Sequence, residues 1–322
     1  MSDLLAVRNR DLVRLIRRIF PRARSVSVEA ASERLVVVYR ARVDDAVFYL
    51  RLAEEPGQDM TTDALIVRRL ADLGVTVPAV IAAETAPIEL PLSYMLTTAI
   101  PGSSLGRAGT DNQARRAARS AGRETAIINS VEVAGFGWIQ RNGKHRLTAE
   151  LDSYGDFVSC YLPDNWPGWL DGVFESPHLD ALESLVEAER SRDVGAGRLV
   201  HGDLDVTHIY VHDGRYSGLI DFGEMRGADP YFDLGHFLLH DGETRPAQLF
   251  DSFLAGYGEV AALPDDHREE IRTSAILLGL RQLSLWLGPR RNRSPSSRLA
   301  RLRVAELANL LDHKPAAQQR ST

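Results

Sequence analysis

"LVHGDLDVTHIYVHDGRYSGLIDFGEMRGADPYFDLG", residues 199–235, carries three His and six Asp among short apolar runs. "RLV" leads into His201-Gly202-Asp203. "HIYVHDG" reads as a strand ending in an Asp-Gly turn, and "SGLID" as its return strand, a hairpin signal. Such a hairpin brings the end of one strand, at His208, near the end of the other, at Asp221. Asp203, on the preceding loop, faces the same space. Asp221 and His208 together suit a divalent cation, and Asp203 suits the acceptance of a proton from a hydroxyl.

Outward from this stretch the pattern changes twice. Residues 3–20 place Leu5, Leu12, Leu15, Ile16 and Ile19 at helical steps among arginines, and Pro21 closes the run. "SVSVEA", "RLVVVYRARV" and "AVFYLRL" read as consecutive antiparallel strands. "TTDALIVRRLADLG" reads as a helix with Thr61 or Thr62 as N-cap and Gly74 at its C-terminal end. "VPAVIAAE" and "LSYMLTTAI" add two strands before Pro101-Gly102 breaks the chain. Beyond it, residues 111–129, 148–162, 178–194, 244–260, 266–288 and 297–312 fit helices. The fold class is α+β with two lobes, residues 1–100 and 101–322.

Composition bounds the partners. Of 322 residues, 44% are hydrophobic and 25% charged, which excludes a disordered or fibrous chain. A net charge of −6 disfavours nucleic acid as a partner. The Arg-rich run "PRRNRSPSSRLARLR" reads as a solvated loop and helix face. No run reaches the ~18 apolar residues of a membrane span, and the N-terminus lacks a signal-peptide pattern, so a cytoplasmic location is expected. Cys160, the one cysteine, sits in "FVSCYL" and is expected to be a buried thiol. His236 and His240 in "HFLLH" stand four apart with no third ligand in view and read as packing or pocket-lining residues.

The spacing in "HGDLDVTH" follows H-R-D-L-x-x-x-N, the catalytic loop of protein kinases, with His208 at the Asn position. "IDFG" follows as the metal-binding segment. With "VFYLRLA", "VRRLADLGVTVPAV", "YMLTTAIPG" and "VEVAGFGWI" in order, the chain resembles the aminoglycoside phosphotransferase family, small-molecule kinases with a protein-kinase-like fold. The resemblance implies Asp203 as catalytic base and His208 and Asp221 as Mg²⁺ ligands. It implies His201 as support for the loop and Asp233 as the residue that pins it. Thr97, Thr98 and Ile100 become the linker to the purine of ATP or GTP. Residues 1–100 become the nucleotide-binding lobe, and 101–322 the lobe with the catalytic loop and substrate site.

Three departures stand out. His208 replaces Asn, a softer ligand that tilts the reading toward macrolide kinases and GTP use. Arg51 stands where the family has a phosphate-binding Lys, and Asp63 where it has the Glu that pairs with it, so an Arg51–Asp63 pair is expected. The Gly-rich turn is missing, leaving Ser32 as the hydroxyl for phosphate. On the substrate side, residues 147–180 hold seven acids (Glu150, Asp152, Asp156, Asp164, Asp171, Glu175, Asp180) and no Lys or Arg. Asp156, Trp166, Trp169, Asp241 and Glu243 are expected to edge a pocket for a cationic, hydroxylated small molecule. Two other classes fit the same residues: a metal-dependent hydrolase using His201, Asp203, His208 and Asp221, and an inactive kinase-like binding module.

Overall fold

The computed structural model describes residues 7–31, 38–55, 57–107, 109–143, 146–162, 165–170, 172–287 and 297–312. Helix α1 (Asn9–Ile19) precedes strands β1 (Val26–Ala30), β2 (Val38–Val43) and β3 (Ala46–Leu52). Helix α2 (Met60–Asp72) follows, then β4 (Val80–Glu84) and β5 (Tyr94–Thr98). These five strands form one antiparallel sheet in the order β1-β2-β3-β5-β4. Its two faces do different work, because side chains alternate along a strand. Leu50 and Leu52 of β3 and Tyr94 and Leu96 of β5 are buried in one core with Leu12, Leu15 and Ile16 of α1. Arg51, Tyr49, Met95 and Thr97 lie on the other face and line a cavity.

The chain then becomes mainly helical, as expected for the α+β class. A short β6 (Ser103–Ser104) leads to α3 (Asp111–Asn129), whose start is fixed by a reciprocal capping box between Thr110 and Gln113. Strands β7 (Glu132–Val133), β8 (Phe136–Ile139) and β9 (Ala149–Leu151) come next, followed by α4 (Tyr154–Tyr161), α5 (Trp166–Leu170) and α6 (Ser176–Arg190). Strands β10 (Gly197–Val200), β11 (Ile209–His212), β12 (Arg215–Leu219) and β13 (Arg226–Ala228) carry the stretch that opened the reading. Helices α7 (Phe232–His240), α8 (Phe250–Tyr257), α9 (His267–Leu287) and α10 (Ser297–Asp312) complete the described chain. The small strands pair antiparallel as β7-β10-β13-β8-β9 and β12-β11-β6. Strands β10, β11 and β12 pack against α3.

Several expectations need correction. Residues 148–162 are not one helix: β9 pairs with β8, and Ser153 then caps α4, accepting a hydrogen bond from the Asp156 N–H. Residues 244–260 shorten to α8. Cys160 is exposed, because α4 turns Phe157 and Val158 inward instead. Arg303 is buried rather than solvated, paired with Glu243 and Glu306. The N-cap of α2 is Asp59, not a threonine. Its carboxylate accepts from the Thr61 N–H at 2.9 Å and from the hydroxyls of Thr61 and Thr85.

That cap gives a stability prediction. Asp59→Ala should lower the unfolding free energy by about 1 kcal/mol or more in urea melts, and an unchanged midpoint would show that α2 is held by packing alone.

Candidate active site

The site is built where three strands end. β10 delivers His201, Gly202 and Asp203; β11 begins immediately after His208; β12 ends just before Ile220 and Asp221. The Ile220 N–H donates to the His208 carbonyl at 3.0 Å, so the two strand ends are joined through their backbone. Asp233, fully buried at the start of α7, accepts from the N–H groups of His201 (2.8 Å) and Gly202 (2.9 Å) and from Asn129 Nδ2 (3.2 Å). Gly202 sits at φ +89°, and a Cβ there would come within 1.9 Å of the Glu224 carbonyl oxygen, so this turn requires glycine. His201 donates from Nε2 to the Ile220 carbonyl at 2.8 Å, tying the loop to the Asp221 strand. Burial, and next the neighbouring His208, push its pKa down, consistent with a neutral ring.

His208 donates from Nδ1 to the Asp203 carbonyl at 2.6 Å. That bond fixes the tautomer and leaves the Nε2 lone pair facing Asp221 Oδ2 across 3.9 Å. The arrangement fits a metal: imidazole ligands usually donate their other N–H to a carbonyl, and His208 and Asp221 would supply a nitrogen and a carboxylate oxygen facing each other. Among the described residues no group of three or more His, Cys, Asp or Glu gathers around one point. Two protein ligands suit an ion whose remaining positions go to water and phosphate oxygens. Asp221 itself is held at φ +63°, a left-handed conformation uncommon outside glycine.

Asp203 keeps its side chain 45% exposed. Burial works to raise its pKa, but the hydrogen bond and charge of His236 outweigh it and hold the carboxyl down at about 2. It is therefore ionised at neutral pH and acts only as an acceptor. His236, expected to be a packing or pocket-lining residue, contacts it at 3.3 Å.

The expected Arg51–Asp63 pair does not form. Arg51 Nη1 instead meets Asp221 Oδ1 at 3.1 Å, and a Cβ on Gly223 would fall 2.1 Å from Arg51 Nη2, so that glycine admits the guanidinium. Asp63 is buried and accepts a two-pronged bond from Arg141 (2.8 and 3.1 Å), which also donates to the Gly223 carbonyl at 3.0 Å. The reason is reach: Asp lacks the methylene that would extend it to β3, while Arg141 arrives from the loop after β8. Nothing in the local sequence marks Arg141.

A cavity of about 450 Å³ lies over this face, with Arg51, Asp63, Thr97, Thr98, Ile100 and Asp221 in its wall and Val38, Val67, Met95 and Phe222 supplying apolar surface. Its size and lining suit a heteroaromatic ligand of nucleotide dimensions. Ser32 lies outside the described residues, as do Asp164 and Asp171. A second cavity, about 570 Å³, adjoins Gly223 and is edged by Glu54, Trp138, Arg141, Glu150 and Glu224.

The residues expected to edge a substrate pocket are not brought together here. Trp166 is 2% exposed in the helical core, and Trp169 packs against the same core. Asp156 bonds the Ser153 hydroxyl. Asp241 accepts from the N–H groups of Leu249 and Phe250, capping α8. Glu243 is taken up by His240 and Arg303.

An acceptor carboxylate beside a His–Asp pair at the edge of a nucleotide-sized cleft is an arrangement that phosphoryl transfer can use. Comparison with known proteins agrees. Residues 28–273 match the APH phosphotransferase enzyme family, and the chain belongs to it. The fold is that of aminoglycoside phosphotransferases, with their protein-kinase-like architecture. Aminoglycoside phosphotransferase APH(4)-Ia superposes with a TM-score of 0.65 at 16% identity, covering 94% of this chain and 98% of that one. Spectinomycin phosphotransferase APH(9)-Ia, solved with ADP and spectinomycin, superposes at 0.61 with 14% identity over 95% and 98%. The uncharacterized protein YcbJ of Bacillus subtilis (strain 168) is 28% identical over 118 residues, 36% of this chain. That match spans a third (33%) of the YcbJ chain. No helix among the described residues is long and apolar enough to cross a membrane.

Removing Arg141 leaves the Asp63 carboxylate buried and unpaired. Arg141→Met should cost about 3 kcal/mol in denaturant unfolding, and Asp63→Asn added to it should recover most of the loss; equal stability of the single variant and wild type would contradict the bracket.

Proposed function

We propose that this family member transfers a phosphoryl group from ATP or GTP to a hydroxyl of a small molecule. The observation that carries the reading is the joint geometry of Asp203, His208 and Asp221. Asp203, ionised and acceptor-only, would take the hydrogen bond of the substrate hydroxyl and aim its oxygen at the γ-phosphorus. His208 Nε2 and Asp221 would hold Mg²⁺, whose charge offsets that developing on the phosphates. Arg51, next to Asp221, would exchange that carboxylate for phosphate oxygens once nucleotide is bound. The strand end at Thr97, Thr98 and Ile100 would meet the purine edge. In this reading residues 1–100 form the nucleotide-binding lobe and 101–322 the substrate lobe, and the enzyme is cytoplasmic.

For the acceptor we infer a cationic, hydroxylated molecule of the aminoglycoside kind. The support is the second cavity, where Glu54 and Glu150 outnumber the one lining cation, Arg141, while Glu224 and the ring of Trp138 are already engaged by Arg226. Glu224 follows the metal-binding segment and packs its backbone on Gly202, one residue from Asp203.

The test is nucleoside-diphosphate release with ATP and with GTP, against aminoglycosides, macrolides and simple amino-alcohols. Substrate-stimulated release is expected, and Asp203→Asn should lower it by roughly 10²- to 10⁴-fold while nucleotide still binds. Turnover of a substrate without any nucleotide would point to a hydrolase. Nucleotide binding without release across the panel would point to a binding module.

The His208 ligand gives a second prediction. Imidazole suits transition ions better than Mg²⁺. Mn²⁺ should therefore support at least as much activity as Mg²⁺, and His208→Asn should shift the preference toward Mg²⁺. An unaltered Mn²⁺ to Mg²⁺ ratio in the variant would remove His208 from the metal.

A further inference from the structure

We propose that His236 is a positioning residue for this reaction: a buried imidazolium that grips the Asp203 carboxylate through Nε2 and fixes the oxygen that receives the substrate hydroxyl. The proposal rests on the phosphotransferase reading of Asp203.

His236 Nδ1 lies 3.0 Å from the carbonyl oxygen of Leu204. Its Nε2 lies 3.3 Å from Asp203 Oδ1. A carbonyl cannot donate, and neither can an ionised carboxylate. Nδ1 therefore carries a proton, and Nε2 stands at ion-pair distance from a carboxylate oxygen, where a second proton makes His236 the counter-ion of Asp203. The ring is 7% exposed, so the pair is shielded from solvent on the histidine side. Its two bonds reach consecutive residues of the catalytic loop, which converts the rigidity of α7 into the orientation of one carboxylate. Asp233, on the first turn of α7, holds the same loop through backbone N–H groups. The helix therefore fixes the loop's path with one residue and its functional side chain with another.

The surroundings permit the charge. Asp203 and Asp205 face His236 from the loop. From its own helix comes His240, whose ring centroid is 4.5 Å away. Burial, first, pushes the pKa of His240 down, and the neighbouring His236 adds to this, so the stack holds one charged ring and one neutral ring. His240 donates to Glu243, which Arg303 of α10 balances. For His236, burial favours the neutral form, but the hydrogen bond and charge of Asp203 prevail and raise its pKa above the usual 6.5. The pair is thus fully present below that value and is lost as pH rises through the raised one.

The test has two arms on the full-length protein. Side-chain ¹⁵N spectra of histidine, with the His236 signal identified by its loss in His236→Gln, should show both ring nitrogens protonated at pH 6. In Asp203→Asn the same ring should revert to a single proton. One protonated nitrogen in wild type, or a ring indifferent to Asp203→Asn, would overturn the ion pair whatever the reaction is. In the kinetic arm, His236→Leu should lower kcat by about 10- to 100-fold, the size expected for one charge-assisted hydrogen bond, with KM for nucleotide changed less than about threefold. His236→Gln, which keeps a neutral donor, should recover part of kcat and lose the alkaline limb of the wild-type pH profile. A wild-type kcat in His236→Leu, or an alkaline limb that persists in His236→Gln, would reject the positioning role. Absence of phosphoryl transfer in wild type would instead reject the reading beneath it, with the spectra still deciding the pair.

Discussion

A carboxylate buried from water is tolerated only when its oxygens are satisfied, and Asp233 is satisfied by the loop it organises. Its three donors are the successive backbone N–H groups of His201 and Gly202 and the amide of Asn129 at the end of α3. The bond set works in both directions. The loop cannot relax without stranding a buried charge, and α3 and α7 cannot separate without the same cost. Everything at the site is placed relative to this point: Asp203 two residues along, His208 by its bond to the Asp203 carbonyl, and Asp221 through the His201 bond to Ile220.

The second feature is a redistribution of charge across the cleft. In the pattern the sequence resembles, a strand Lys and a helix Glu pair with each other. Here the strand residue is Arg51 and the helix residue Asp63, and each has another partner. Arg141 takes Asp63 and also reaches the Gly223 carbonyl, so it connects α2 to the Asp221 segment directly. Arg51 is left with Asp221 and, more distantly, Glu54. A guanidinium resting on the exposed Asp221 carboxylate is a replaceable contact, since exposed pairs are weak. Arg141–Asp63 is buried and is the structural member of the two.

How much of this was legible depended on whether the signal was local. β3, α3 and α10 were readable to the residue, because alternation, a capping box and a helical repeat are written within a few positions. The hairpin that joins His208 to Asp221 was equally local, marked by Asp213-Gly214. β9 was not, since only its pairing with β8 makes residues 149–151 a strand, and that partner lies in another segment. The same distinction divides the site. Asp203, His208 and Asp221 share one short stretch, and their spacing exposed them. Arg141 lies 78 residues from Asp63, and His236 meets Asp203 only because α7 folds back over the loop. The acids that composition suggested for a substrate pocket failed for a related reason. Charge counts do not reveal that Asp241 caps a helix or that Glu243 answers Arg303.

The central claim is that His208 and Asp221 hold one divalent ion beside Asp203. Pulsed electron paramagnetic resonance of the protein with Mn²⁺ and a non-hydrolysable nucleotide tests it most directly, since a coordinated imidazole imprints a ¹⁴N coupling on the ion. The account predicts that coupling in the wild-type complex and its loss in His208→Asn. A bound Mn²⁺–nucleotide complex with no nitrogen coupling, identical in the two proteins, would contradict it.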